Sequence, residues 1–95
     1  MPFRLTRGND GEVRLIGRLD AAEADQATKD FAALEGPVVA DCSELEYVSS
    51  AGISVLMVTY KRLQQKGHSF RLKALQPRVR NVFVYSGLAP MLGIE

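Results

Sequence analysis

The short run Pro37-Val38-Val39-Ala40, set between two longer segments of helical apolar spacing, constrains this chain more than any other feature. An uninterrupted apolar, β-branched run is the pattern of a strand covered on both faces, which predicts a central place in a sheet. Helices must then supply the cover. Before the run, Ala24, Ala27, Phe31 and Leu34 recur at helical spacing, so a helix is predicted from about Ala21 to Leu34, ended by Gly36-Pro37. Asp20, with Glu23 three residues on, reads as its N-cap in an acidic variant of the capping box. After the run, Asp41 to Val48 reads as a polar connection, and Ser49-Ser50-Ala51-Gly52 opens the most apolar helix of the chain. Ile53, Leu56, Met57, Tyr60 and Leu63 form its inward stripe, and Gly67 caps its end. A second stripe, Val55, Val58 and Thr59, makes it apolar over more of its circumference than a surface helix normally is.

The flanks complete the pattern. Phe3 and Leu5, then Val13 and Leu15, alternate with polar residues around Gly8-Asn9-Asp10-Gly11, which predicts a β-hairpin. Phe70, Leu72 and Ala74 alternate in a later strand, Pro77 opens a last helix carrying Val79, Val82 and Phe83, and that helix ends at Gly87. Leu88 to Ile94 is a short apolar tail. The order β-β-α-β-α-β-α predicts an α/β fold, a mixed sheet with helices packed on it. With 95 residues, 46% hydrophobic and 24% charged, residues 1–95 are expected to form a single self-folding domain.

Composition narrows the function classes. The longest nearly apolar stretch, Ala51 to Tyr60, is half of the roughly 20 residues a bilayer needs, and the first residues do not resemble a leader, so neither secretion nor a membrane span is expected. One cysteine, Cys42, and one histidine, His68, argue against a disulfide or a metal site, and a lone cysteine fits a reducing cytoplasm. Cys42 itself reads most simply as a small core residue. Residues 1–60 hold five Lys/Arg against ten Asp/Glu, and residues 61–95 seven against one, so the molecule should be a dipole. The basic residues are spread over three predicted elements rather than along one aromatic-interleaved stripe, so no direct nucleic-acid contact is expected. No serine sits in a Gly-x-Ser-x-Gly elbow with a base at hand, and no phosphate-cradling glycine loop joins a strand to a helix. An enzyme is therefore not expected, nor is any cofactor.

What remains is Ser49-Ser50-Ala51-Gly52 at a helix start. Serine there is most often only an N-cap. The same position offers unpaired N–H groups and a partial positive charge, so an added phosphate would be tolerated.

Three segments carry a family resemblance. Gly17-Arg18-Leu19-Asp20 is similar to a Gly-x-Leu-Asp signature at the end of a second strand. The segment from Asp41 through Leu45, Tyr47 and Val48 to Ser49-Ser50-Ala51-Gly52-Ile53 resembles the signature around a regulatory serine, and Ser86-Gly87-Leu88 resembles a late Ser-Gly-Leu turn. On these residues the chain resembles a STAS domain, and within that group the bacterial anti-sigma factor antagonists. The resemblance implies a non-catalytic binding module. Its unphosphorylated form captures an anti-sigma factor serine kinase of the histidine-kinase-like ATPase fold, freeing a sigma factor, and a metal-dependent serine phosphatase resets the cycle. A weak homodimer is also among the associations it admits.

By position the phosphoacceptor is Ser50, with Ser49, where many members have Asp, as the alternative. Asp20 matches a position near the partner surface, and Gly52 is either a partner contact or a residue that lets the chain turn tightly into the helix. A partner reaching Ser50 would cover Val55, Val58 and Thr59, with Ser54 at the edge of that docking surface; the alternative is that this helix is buried on two sides, between the sheet and a neighbouring helix. The phosphate would sit beside Asp20, Asp41, Glu44 and Glu46. The competing reading is a non-catalytic STAS subunit of a lipid-transport ATPase complex or of a stress-signalling scaffold; a retained acceptor serine favours the first.

Overall fold

The structure, a computed structural model, describes residues 2–8 and 11–94. Seven elements follow one another: β1 (Arg4–Arg7), β2 (Val13–Leu19), α1 (Ala24–Ala32), β3 (Val38–Val48), α2 (Ser50–Gln65), β4 (Phe70–Lys73) and α3 (Pro77–Tyr85). The sheet order is β1-β2-β3-β4. β1 runs antiparallel to β2, and β2, β3 and β4 are parallel. This is the expected mixed sheet in the expected element order, with β3 in the interior. Asn9 and Asp10, on which the predicted hairpin turn falls, lie outside the described residues.

The two crossovers, β2-α1-β3 and β3-α2-β4, step the same way across the sheet, so the right-handed rule puts both helices on one face. There α1 and α2 pack against each other. α3 packs along β3: Gln76 Nε2 donates to the Ser43 carbonyl at 3.2 Å, and Val79 and Phe83 enter the core. The tail after α3 buries Leu92, whose carbonyl accepts from the Leu72 amide at 3.0 Å and so occupies the outer edge of β4.

The opposite face of the sheet carries neither α1 nor α2 and is largely polar, though Ile16 on it is buried. Along β4, Phe70 and Leu72 are buried and Arg71 and Lys73 exposed. The exposed row Thr6, Arg14 and Lys73 is joined across the sheet by half-buried Asp41, each residue opposite the next. Ile16 and Val39 fall on this face, and neither belongs to the core cluster. The expectation that the Val38-Val39 strand is covered on both faces is therefore corrected: only Val38 and Ala40 point into the core, and half-buried Val39 lies opposite Arg71.

Three boundaries also differ. β3 continues to Val48 through the stretch expected to be a connection, because that stretch pairs with β2 to its end. Between Arg14/Ile16 and again between Gly17/Arg18 the partner strand holds one residue more, so β3 carries two bulges. Its buried positions are accordingly Val38, Ala40, Cys42, Leu45 and Val48, spaced by two and then by three. At α1, Asp20 closes a turn rather than the helix: its Oδ1 and its carbonyl both accept from the Glu23 amide, and the helix begins three residues beyond the predicted start, with no side-chain cap from Glu23. β4 ends at Lys73 because Ala74 adopts a left-handed backbone, φ 61°.

Candidate functional site

β2 and β3 end side by side, Leu19 opposite Val48, and α2 starts directly above them. Ligand sites of open α/β sheets gather at such carboxyl ends of parallel strands. Three contacts fasten the chain here. The Ser49 amide donates to the Leu19 carbonyl at 2.9 Å, the Ser49 hydroxyl donates to the same carbonyl at 3.4 Å, and the hydroxyl accepts from the Gly52 amide at 3.1 Å. Ser49 is thus the N-cap of α2, in the extended conformation typical of that position.

Ser50 is the first helical residue, and its side chain is exposed. Its carbonyl accepts from the Ser54 hydroxyl at 3.1 Å, but its own Oγ has no hydrogen-bond partner among the described residues. No acidic residue lies in the first turn of α2, so the positive pole of this helix is not neutralised from within. The two adjacent serines are therefore chemically distinct: one hydroxyl is satisfied by structure and the other is open to solvent.

Gly52 is buried under this turn. A Cβ there would stand 2.5 Å from the Leu19 carbonyl oxygen, 2.8 Å from Leu19 Cγ and 2.9 Å from Val48 Cγ2. The expected tight turn is not what requires glycine here: its backbone carries no positive φ, and a side chain is excluded because α2 rests against the ends of β2 and β3.

Around the site, Arg18 Nε lies 4.0 Å from Asp20 Oδ2, and the Arg18 guanidinium stacks at 4.5 Å over the ring of Tyr47, its register partner. Asp20 is half-buried and borders the site. Asp41 and Glu44 do not, because the extended course of β3, rising about 3.3 Å per residue, places Asp41 about 20 Å from its end. Asp41 instead has its carboxyl held below the usual range, first by the Ser43 backbone amide and hydroxyl and then by Arg14 and Lys73. Burial pushes the Cys42 thiol up to about 12, with Asp41 adding to the effect, which matches a core role.

The second apolar stripe of α2 is divided. Val55 and Thr59 are buried, at 8% and 3% exposure, whereas Val58 is 63% exposed. The expectation that this stripe is spare to the core is corrected for Val55 and Thr59, which are buried, and the alternative of a helix buried on two sides holds for them. Val58 and Ser54 remain on the surface, in line with Ser50.

Reasoning from sequence missed Arg62, which donates to the Phe31 and Leu34 carbonyls at 3.0 Å each and so caps the end of α1. A basic residue in the last turn of α2 was the visible signal, but its partners are about thirty residues away. Among the described residues no group of three His, Cys, Asp or Glu side chains could hold a metal ion, and no helix is long and apolar enough to cross a membrane.

With this geometry in view, the comparisons with known proteins are specific. A family model described as "Mlab, STAS domain" matches residues 5–93. A Bordetella bronchiseptica protein named as an anti-sigma factor antagonist, BtrV, is 39% identical over 77 residues, 77% of this chain and 66% of the relative. The chain thus spans just under two thirds of that relative's length. The anti-sigma-B factor antagonist of Bacillus subtilis is 27% identical over 90 residues, 92% of this chain and 83% of the relative. An anti-sigma-factor antagonist (STAS) domain protein from Planctomyces limnophilus shares the fold, with TM-score 0.74 and 22% identity over 95% of this chain and 86% of its own.

Proposed function

The chain belongs to the STAS domain family, and from that premise we propose that it is an anti-sigma factor antagonist switched by phosphorylation of Ser50. Unphosphorylated, it binds a serine-kinase anti-sigma factor of the histidine-kinase-like ATPase fold and frees the sigma factor. The kinase transfers the γ-phosphoryl of ATP to Ser50 and releases the product, and a metal-dependent serine phosphatase restores it. The names of the two curated relatives favour this over a transport-subunit reading. The protein's part in the chemistry is to present a nucleophile, not to catalyse.

The observation that carries the reading is the division of labour between the two serines. A phosphoacceptor must offer a free, accessible hydroxyl. Ser50 does so, while transfer to Ser49 would first require breaking the cap of α2. The phosphate adds about −1.5 to −2 charges at the positive end of a 16-residue helix, where the first-turn amides stabilise it without disturbing the core. Release then comes from charge and bulk at the partner surface bordered by Asp20 and Ser54. Ser49 and Gly52 belong to that surface only through the shape they give the turn.

Phosphopeptide mapping after incubation with ATP and the cognate kinase tests the assignment. Modification confined to Ser50, and a stable kinase complex with Ser50→Ala, are expected. Modification mainly at Ser49 or Ser43 overturns it.

A further inference from the structure

α2 has 16 residues and is therefore about 24 Å long. At its far end from Ser50 lies a cleft of about 410 Å³, between the last turns of α2, the entry to β4 and the tail. Five polar side chains line it, Tyr60 and Gln64 from α2 and His68, Ser69 and Arg71 from the start of β4. Among the described residues, none of the five side chains has a hydrogen bond or an ion pair.

The cation among them is held in place by packing alone. Arg71 belongs to an edge strand, and its stem lies against the tail at Gly93: a Cβ there would stand 3.0 Å from Arg71 Cγ and 3.3 Å from one guanidinium nitrogen. The missing side chain at Gly93 thus makes the room that Arg71 occupies. A guanidinium fixed this way, with its N–H fork unused by the protein, matches the two oxygens of a carboxylate or phosphate. No acid competes for it from the cleft walls, because the chain holds no Asp or Glu between Glu46 and Glu95, and every lining residue comes from that stretch. The carbonyls at the end of α2 are also taken: Leu63 accepts from the Lys66 and His68 amides, and Gln64 from the Gly67 amide.

Size and lining complete the choice of ligand. The volume falls in the range of about 300–1,000 Å³ usual for small-ligand pockets, more than an inorganic ion needs. The Tyr60 ring, Pro90 and Met91 add carbon beside the polar groups. One imidazole without a carboxylate is a poor donor set for a metal cation. We infer that this cleft binds a small organic anion, its carboxylate or phosphate head on Arg71 and its apolar body against Tyr60, Pro90 and Met91. The site is separate from the phosphoacceptor and does not depend on the antagonist reading.

The test titrates the full chain, labelled with nitrogen-15, with benzoate, phenyl phosphate, inorganic phosphate and benzyl alcohol at constant ionic strength. Benzoate or phenyl phosphate should shift the amide resonances of His68, Ser69, Arg71 and Gly93 saturably, and the tighter of the two identifies the head group. Arg71→Gln, at an exposed position, should fold as wild type by circular dichroism and weaken that binding about tenfold or more, the effect of losing a charge-assisted pair. Should it fail to fold, Gln64→Glu, which places a like charge on the exposed wall of α2, decides by the same measure. A Kd within about twofold of wild type in the deciding variant overturns the inference. An equal response to neutral benzyl alcohol or to inorganic phosphate overturns it too, as does no response to either organic anion up to about 10 mM.

Discussion

Replacing Gly52 with alanine is the sharpest probe of how the site is built. In most exposed helical positions Gly→Ala stabilises by about 1 kcal/mol. Here the added methyl meets the Leu19 carbonyl at 2.5 Å, Leu19 Cγ at 2.8 Å and Val48 Cγ2 at 2.9 Å. The two side chains have some freedom, but the carbonyl does not, because it belongs to the last residue of β2 and already accepts from the Ser49 amide. α2 must therefore move outward at its first turn. Overpacking of this kind costs about 1–3 kcal/mol, and a strained Ser49 cap costs about 1 kcal/mol more. After the helix-propensity gain the net loss is about 2 kcal/mol, against a total stability of about 5–15 kcal/mol. For a chain of this size that lowers Tm by about 10 °C, measured by thermal denaturation with two probes to confirm a two-state transition. The displaced turn should also slow phosphorylation of Ser50, read as a lower kcat. A Tm equal to or above wild type would refute the close approach.

The two serines should respond oppositely: Ser49→Ala is expected to lose about 1 kcal/mol by urea denaturation, whereas Ser50→Ala should stay within about 0.5 kcal/mol of wild type yet resist phosphorylation. Arg62→Ala leaves the Phe31 carbonyl of α1 and the Leu34 carbonyl just beyond it without their charged donor and should cost about 1.5–3 kcal/mol, with Arg62→Lys recovering only part, since both bonds come from one guanidinium. Cys42 should ignore a water-soluble thiol reagent until the protein unfolds. Burial raises it in the folded chain from the ordinary thiol value of 9.0 to about 12, so its contribution is complete below about pH 9 and is lost as pH rises toward 12. The alkaline fall in Tm should accordingly be shallower in Cys42→Ala.

The legible parts were those whose signals are local. Alternation at Phe70 to Lys73, helical spacing at Leu56 and Leu63, and Pro77 at a helix start each act over a few residues, and the fold follows them. β3 was half missed because its two bulges break alternation where its polar residues cluster; Cys42, Leu45 and Val48, at intervals of three, match neither a strand nor a helix. The open sheet face was hidden for a different reason. Val39 looks like a core residue, and nothing local says that Arg71, more than thirty residues on, will be its neighbour. At the site, the acceptor serine was readable, but which face of α2 is buried was not, since that depends on how α1 packs against it.

The bare face of the sheet gives the molecule a back. Thr6 and Arg14 are exposed there, on the side of the sheet away from the packed α1 and α2. A cysteine introduced at either position, with the native thiol sealed in the core, would accept a maleimide dye or a surface tether at one defined point. Proteins immobilised this way would all lie in the same orientation, with Val58 and the paired helices turned toward the bulk solution. The same asymmetry makes the hairpin strand β1 the natural place to attach a carrier.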